Sequence, residues 1–173
     1  MLDPGNEWAF DLEDVGKALR SNTRLIAVNY PNNPTGATPD EATFRGLVEL
    51  CDERGIRLFS DEVYRGLEVE GSRPLPQAAD ISPTALSLNV MSKAYGLSGL
   101  RIGWVACQDH EMLERLERRK HYSTICNAGP SELLATIALQ HADEIRARNQ
   151  AIIVENLPLF REFFVERWGE LFD

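Results

Sequence analysis

Three side chains of different chemistry stand at equivalent places in this sequence: Asn33, Asp61 and Lys93. Each follows an apolar run that reads as a buried strand, and each falls just past that strand's C-terminal end. An amide, a carboxylate and an ε-amine on three loop tips could surround one small molecule. Ligands of open α/β sheets bind outside the carboxyl ends of the strands, so the placement suits a binding site for many different cofactors. Singly, each candidate also has an ordinary explanation. Pro31 to Gly36 has the composition of a tight turn. Asp61 could cap a helix, and Tyr64 could be a core aromatic with a satisfied hydroxyl. Lys93 could be a solvated lysine and Arg101 a surface ion-pair partner.

Alternating helical and strand patterns must position these residues, which predicts an α/β architecture. Asp11 is expected to cap a helix reaching about Ser21, and Leu25 to Val28 reads as a strand ending at Tyr30. Thr38 is expected to cap the next helix, with Pro39 in its first position and Glu41 closing a capping box. Phe44, Leu47, Val48 and Cys51 then form one apolar stripe at helical spacing, and Gly55 is the expected stop. Further strands are predicted from Ile56 to Ser60, Ala85 to Met91 and about Arg101 to Cys107. Helices are predicted from Asp109 to about Tyr122 and from Pro130 to His141. A last helical region covers Asp143 to Trp168, with Ile153, Leu157, Phe160, Phe164 and Trp168 on one face, interrupted and kinked by Pro158.

Composition narrows the function classes. The 173 residues are enough for one domain with a sizeable core, and the net charge is −9. Such an acidic chain repels a phosphate backbone, so no nucleic-acid partner is expected. Cys51, Cys107 and Cys126 are too widely spaced to form a metal-type pair, so no metal is expected. Sparse cysteines, no signal-peptide pattern and no run of membrane-spanning length lead to the expectation of a cytoplasmic protein without a membrane partner.

Three blocks together resemble the class I/II aminotransferases, within the fold-type-I pyridoxal-phosphate-dependent enzymes. They are Asn29 to Gly36 (NYPNNPTG), Ser60 to Tyr64 (SDEVY) and Met91 to Trp104 (MSKAYGLSGLRIGW). The resemblance implies a three-layer α/β sandwich, here part of a mixed, mostly parallel seven-stranded sheet, with the strand near Arg101 to Cys107 antiparallel. It implies pyridoxal 5'-phosphate as cofactor, with Lys93 matching the family's Schiff-base lysine and catalytic proton carrier. Asp61 matches the acid that pairs with the pyridine nitrogen, and a carboxylate there favours the protonated ring. Asn33 and Tyr64 match the residues that hydrogen-bond the ring's 3′ oxygen. Arg101, eight positions after Lys93, would grip the phosphate with its guanidinium fork, and Ser92 would add a donor. Val90 departs from the pattern, because many relatives carry Ser or Thr three positions before the lysine. The Asn33-Pro34 peptide is expected to be cis.

The implied activity is transfer of an amino group from an amino acid to a 2-oxo acid. Lyases, decarboxylases, synthases and oxidases share the scaffold, and so do non-catalytic ligand-sensing domains. Relatives are longer at both ends. Residues 1–142 would be part of the large cofactor-binding domain, and residues 143–173 a helix leading toward a small C-terminal domain. The intact protein is expected to be a homodimer. The piece alone is expected to be inactive, with both sheet edges unpaired and poor solubility or marginal stability as the consequence.

Overall fold

The computed structural model describes residue 8 and residues 10–68 and 73–168. Four strands form one sheet in the order β1 (Leu25–Asn29), β2 (Arg57–Asp61), β3 (Leu86–Val90), β4 (Gly103–Ala106). β1, β2 and β3 are mutually parallel, and β4 runs antiparallel to β3, as expected. Among the described residues six α-helices accompany them, besides a 3-10 turn at Ser98–Leu100: α1 (Leu12–Ala18), α2 (Glu41–Glu53), α3 (Ala78–Ile81), α4 (His110–Ser123), α5 (Gly129–Gln140) and α6 (Ala142–Trp168).

Register follows from strand alternation. Ile26 pairs with Leu58 and Val28 with Ser60. This face packs beneath α2, whose Phe44, Leu47, Val48 and Cys51 meet Leu58, Ala78 and Ala85 in the main core. Burial there pushes the Cys51 thiol up to about 11, so it behaves as a small apolar group. Alternation sends Asn29, Arg57 and Asp61 to the opposite face. Arg57 ties that face to the start of α4 by a 2.7 Å ion pair with Asp109. A second cluster joins Met91 to Ala135 and Ala138 of α5, with Ile102 and Trp104 packed around it.

The start of α2 corrects the expected cap. Asp40, not Thr38, is the capping residue: its carboxylate accepts from the Thr43 amide at 2.7 Å, and the helix begins at Glu41. A charged acceptor complements the helix N-terminus better than a hydroxyl does. Glu41 closes no box; it pairs with Arg45 one turn on, at 2.7 Å. Gly55 stops the helix in the left-handed region, at φ 62°. α1 is shorter than expected, ending at Ala18.

α6 runs through Pro158 as one helix. Its expected apolar face divides. Ile153 and Leu157 are partly buried, whereas Phe160 and Phe164 are exposed and stack on each other at 5.8 Å. The Trp168 side chain lies outside the described residues. Ile152, Val154, Leu159 and Phe163 are also exposed. The apolar side chains are spread around the helix among charged ones and are not gathered on one stripe. Among the described residues no helix is long and apolar enough to cross a membrane, and no group of acidic, Cys and His side chains could hold a metal ion.

Candidate active site

β1 and β2 end side by side, because Asn29 pairs with Asp61. The Asn29 side chain fastens both ends: Nδ2 donates to Asp61 O at 3.1 Å, and Oδ1 accepts from the Asn33 amide at 2.9 Å. One amide side chain therefore sets the β1 loop against the tip of β2. The Asn33-Pro34 peptide is cis, as expected, and so is Tyr30-Pro31.

Beyond β2 the Asp61 carboxylate accepts from the Val63 amide at 3.2 Å, starting the turn that carries Tyr64. Asn33 Nδ2 donates to the Tyr64 hydroxyl at 3.0 Å, so the first two loops meet through these side chains. The third loop joins through the backbone, where Ala94 N donates to Val63 O at 3.3 Å. Lys93 Nζ then lies 5.5 Å from the centre of the Tyr64 ring. Asn33, Tyr64 and Lys93 thus form a continuous chain of side-chain neighbours, and Asp61 joins it through Asn29 and Val63.

Ser92 and Arg101 are placed by the β3–β4 pairing. Val90 pairs with Gly103, and Met91 N donates to Ile102 O at 2.9 Å. The ladder ends there, with Ser92 in the turn that follows β3 and Arg101 just ahead of β4. Arg101 is in the left-handed region at φ 56°, which costs a non-glycine residue about 1–2 kcal/mol. Its Nη1 donates to Ser98 O at 3.0 Å. Among the described residues no hydrogen bond or ion pair joins Arg101 or Ser92 to the other four candidates, so these two remain candidates on the motif alone.

A groove of 650 Å³ opens beside Asn33 and Tyr64, bounded also by Pro34, Thr38, Glu68 and Ile153. It does not extend to Asp61 or Lys93. The donor set nonetheless fits pyridoxal phosphate in kind: an amine for its aldehyde, a carboxylate for its ring nitrogen, an amide and a phenol for its ring oxygen. Ser92 and Arg101 would serve the phosphate.

Reading by motif did not single out Asn29 or Glu62. Asn29 had a legible signal, as a polar residue closing an apolar strand. Glu62 is buried at 4% exposure. Its Oε1 accepts from the Ala78 amide at 2.9 Å and the Ser87 hydroxyl at 2.7 Å, tying the end of β2 to α3 and β3. Its Oε2 and the neighbouring Ser60 Oγ lie together in the interior without a well-formed hydrogen bond among the described residues. Burial pushes the Glu62 carboxyl up, against the opposing pull of those hydrogen bonds and of Arg65. The folded chain therefore keeps this proton to higher pH than the unfolded chain does. The stabilisation is complete below the unfolded value and is lost as pH rises through the folded one. Glu62→Gln keeps the acceptor and removes the ionisation. The variant's urea midpoint is expected to match wild type at about pH 4 and to exceed it at about pH 8. A difference that does not change with pH would contradict the assignment.

Comparison with known proteins agrees with this geometry. The family model for aminotransferase class I and II matches residues 1–163. Capreomycidine synthase of Streptomyces vinaceus is 37% identical over 145 residues, covering 83% of this chain and 36% of that protein. A probable aspartate/prephenate aminotransferase of Aquifex aeolicus is 37% identical over 101 residues, covering 57% of this chain and 26% of its own. A crystal structure of a PLP-dependent aminotransferase from Streptococcus suis superposes with TM-score 0.87 at 35% identity, over 96% of this chain and 44% of that one. Aspartate aminotransferase from Thermus thermophilus superposes with TM-score 0.83 at 27% identity, over 95% of this chain and 42% of that one. The chain thus spans less than half the length of these relatives. Matched along nearly its whole length in sequence and in fold, the chain belongs to the class I and II aminotransferases, a pyridoxal-phosphate-dependent family.

Proposed function

We propose that this chain supplies the cofactor-anchoring core of a pyridoxal-phosphate-dependent aminotransferase that moves an amino group from an amino acid to a 2-oxo acid. The observation that carries the reading is the contact chain from Asn33 through Tyr64 to Lys93, with Asp61 fastened beside it. When bound, the cofactor supplies an electron sink for the bonds around the substrate's α-carbon. Lys93 Nζ would be the covalent anchor, and once released its free amine would carry the proton between the substrate's α-carbon and the cofactor's 4′ carbon. The Asp61 carboxylate holds a proton on the ring nitrogen by stabilising positive charge there. Asn33 Nδ2 and the Tyr64 hydroxyl, which lie 3.0 Å apart, would donate to the cofactor's ring oxygen. Arg101 and Ser92 hold the phosphate. Residues 1–142 act as part of the cofactor-binding domain and residues 143–173 as the link toward a second domain. The whole protein works as a cytoplasmic homodimer, in keeping with its family.

The test uses the fact that the chain has only two other lysines, Lys17 and Lys120. The chain is mixed with pyridoxal phosphate, reduced with borohydride and digested for peptide mass mapping. The label is expected on Lys93 in large excess over Lys17, Lys120 and the N-terminus. Equal labelling of all amines would defeat the reading.

A second reading has one observation in its favour: the Streptomyces relative at 37% identity is named a synthase rather than a transaminase. The same anchoring residues would serve both reactions. Appearance of pyridoxamine phosphate when the whole protein meets an amino acid without an acceptor supports transfer; its absence with amino acid consumed supports the synthase reading.

A further inference from the structure

Helix α6 does more than lead away from the site. Arg146, Asn149, Gln150 and Ile153 recur at three- and four-residue spacing, so they share one face. That face grips the two loops that carry Tyr64 and Lys93. Asn149 Nδ2 donates to Ala94 O at 2.9 Å. Ala94 is the buried residue immediately after Lys93, at 3% exposure. Gln150 Nε2 donates to the carbonyl of Glu68, four residues past Tyr64. The Arg146 guanidinium lies 6.0 Å from the Tyr95 ring.

Two glycines make this approach possible. Gly96, at φ +66°, would place a Cβ 3.1 Å from Asn149 Nδ2. Gly66, at φ +92°, would place one 2.9 Å from Arg146 Cδ. Both positions combine a left-handed backbone with close contact to a side chain of α6, so any side chain there would strain the turn and displace Asn149 or Arg146 from its place.

The hydrogen bonds around Lys93 show what Asn149 adds. Gly96 N donates to Lys93 O at 2.9 Å and Leu97 N to Met91 O at 2.8 Å, which close the turn upon itself. Tethers from outside the turn reach it at Ala94, whose amide is held by Val63 O and whose carbonyl is held by Asn149. Ala94 is thus clamped between the Tyr64 loop and α6. The orientation of the adjoining lysine depends on both jaws.

We propose that Asn149 is a positioning residue for Lys93, holding its turn so that the amine stays beside Tyr64, and that α6 thereby couples its own placement to the cofactor site. The proposal rests on the reading of Lys93 as the cofactor's anchor. Losing one such hydrogen bond is expected to weaken pyridoxal phosphate binding by about tenfold.

The experiment compares the wild-type chain with Asn149→Leu, Asn149→Gln and Asn156→Leu. Asn156 lies on the same helix and, among the described residues, donates to Ile152 O within it, so it controls for damage to α6 itself. Two quantities are read: the apparent Kd for pyridoxal phosphate from the band near the visible edge, and amide hydrogen exchange of the 91–97 segment without cofactor. Asn149→Leu is expected to raise both the Kd and the exchange of that segment by about tenfold, with α2 exchange unchanged. Asn149→Gln, which keeps the amide donor, is expected to recover most of the affinity, and Asn156→Leu to match wild type. Wild-type affinity and protection in Asn149→Leu would overturn the proposal. So would a loss of protection spread evenly over the chain and not recovered by glutamine, because that marks a role in folding only. If the wild-type chain forms no Lys93-dependent band at all, the anchor reading falls and the proposal falls with it. A wild-type band with unaltered Asn149→Leu sinks the proposal alone.

Discussion

Replacing Lys93 by alanine is expected to abolish the visible-edge absorbance band that pyridoxal phosphate forms with this chain, and with it all borohydride-fixed label in the 91–97 segment. The expected effect is total, since a covalent link needs a free amine and no other residue of the site has one. Lys17 and Lys120 are poor substitutes for physical reasons. Lys17 pairs with Glu13 at 2.8 Å and with Asp14 at 3.7 Å. Those acids, Glu13 foremost, hold its ammonium protonated to higher pH, and a protonated amine has no lone pair to attack a carbonyl. Lys120 donates to Asn127 Oδ1 at 2.9 Å, on the exposed side of α4. Lys93 has no carboxylate within ion-pair distance among the described residues and stands against an aromatic face instead. Lys17→Ala and Lys120→Ala are therefore expected to leave the band unchanged. A band of undiminished strength in Lys93→Ala would show that another amine captures the aldehyde, and the assignment of the site would be wrong.

The site was more legible than its supports. Asn33, Asp61 and Lys93 could be placed together from sequence because strand ends are marked by apolar runs and parallel β–α–β connections bring successive strand ends to one edge. The antiparallel β4 followed from the resemblance and not from periodicity, which does not encode strand direction. The cap of α2 was misplaced by two residues. Thr38, Pro39 and Glu41 fit a capping box, but Asp40 competes for the same amides, and only geometry decides between a hydroxyl and a carboxylate two residues apart. Asn149 and Gln150 left no signal, because long-range side-chain bonds to backbone carbonyls have no characteristic spacing. Glu62 was passed over for a related reason. Within SDEVY either acid could face the ligand, and strand alternation sends Asp61 and Glu62 to opposite sides. Glu62 lies in the interior, and Asp61 is left as the acid proposed to meet the cofactor.

Truncating Phe44 to alanine is expected to destabilise the chain by about 3–5 kcal/mol, the range for an aromatic removed from a packed core. Phe44 is 1% exposed and lies at the centre of the α2 cluster, against a sheet face that includes Leu58. A domain of this size commonly has about 5–15 kcal/mol in total. This one also leaves Tyr122 at 93%, Ile125 at 70% and Leu133 at 63% exposure, apolar surface that contributes nothing to its own stability. Its reserve is therefore expected at the low end, so Phe44→Ala should retain no more than about 2 kcal/mol and unfold at urea concentrations where the wild type is still folded. Urea unfolding followed by far-UV circular dichroism checks this, with the midpoint falling and the m-value unchanged if the transition stays two-state. Phe160→Ala is the matched control, since Phe160 is 63% exposed, and it is expected to shift stability by no more than about 0.5 kcal/mol. The contrast reaches the site as well. Leu58 lies three residues before Asp61 on β2, so loss of the α2 packing releases the strand that presents the carboxylate. In urea that leaves the wild type folded, Phe44→Ala should then lose the pyridoxal phosphate band together with its circular dichroism, whereas Lys93→Ala loses the band and keeps the fold. A Phe44→Ala chain that stays folded with a loss under about 1 kcal/mol would mean that the α2 cluster is not the core on which the sheet depends.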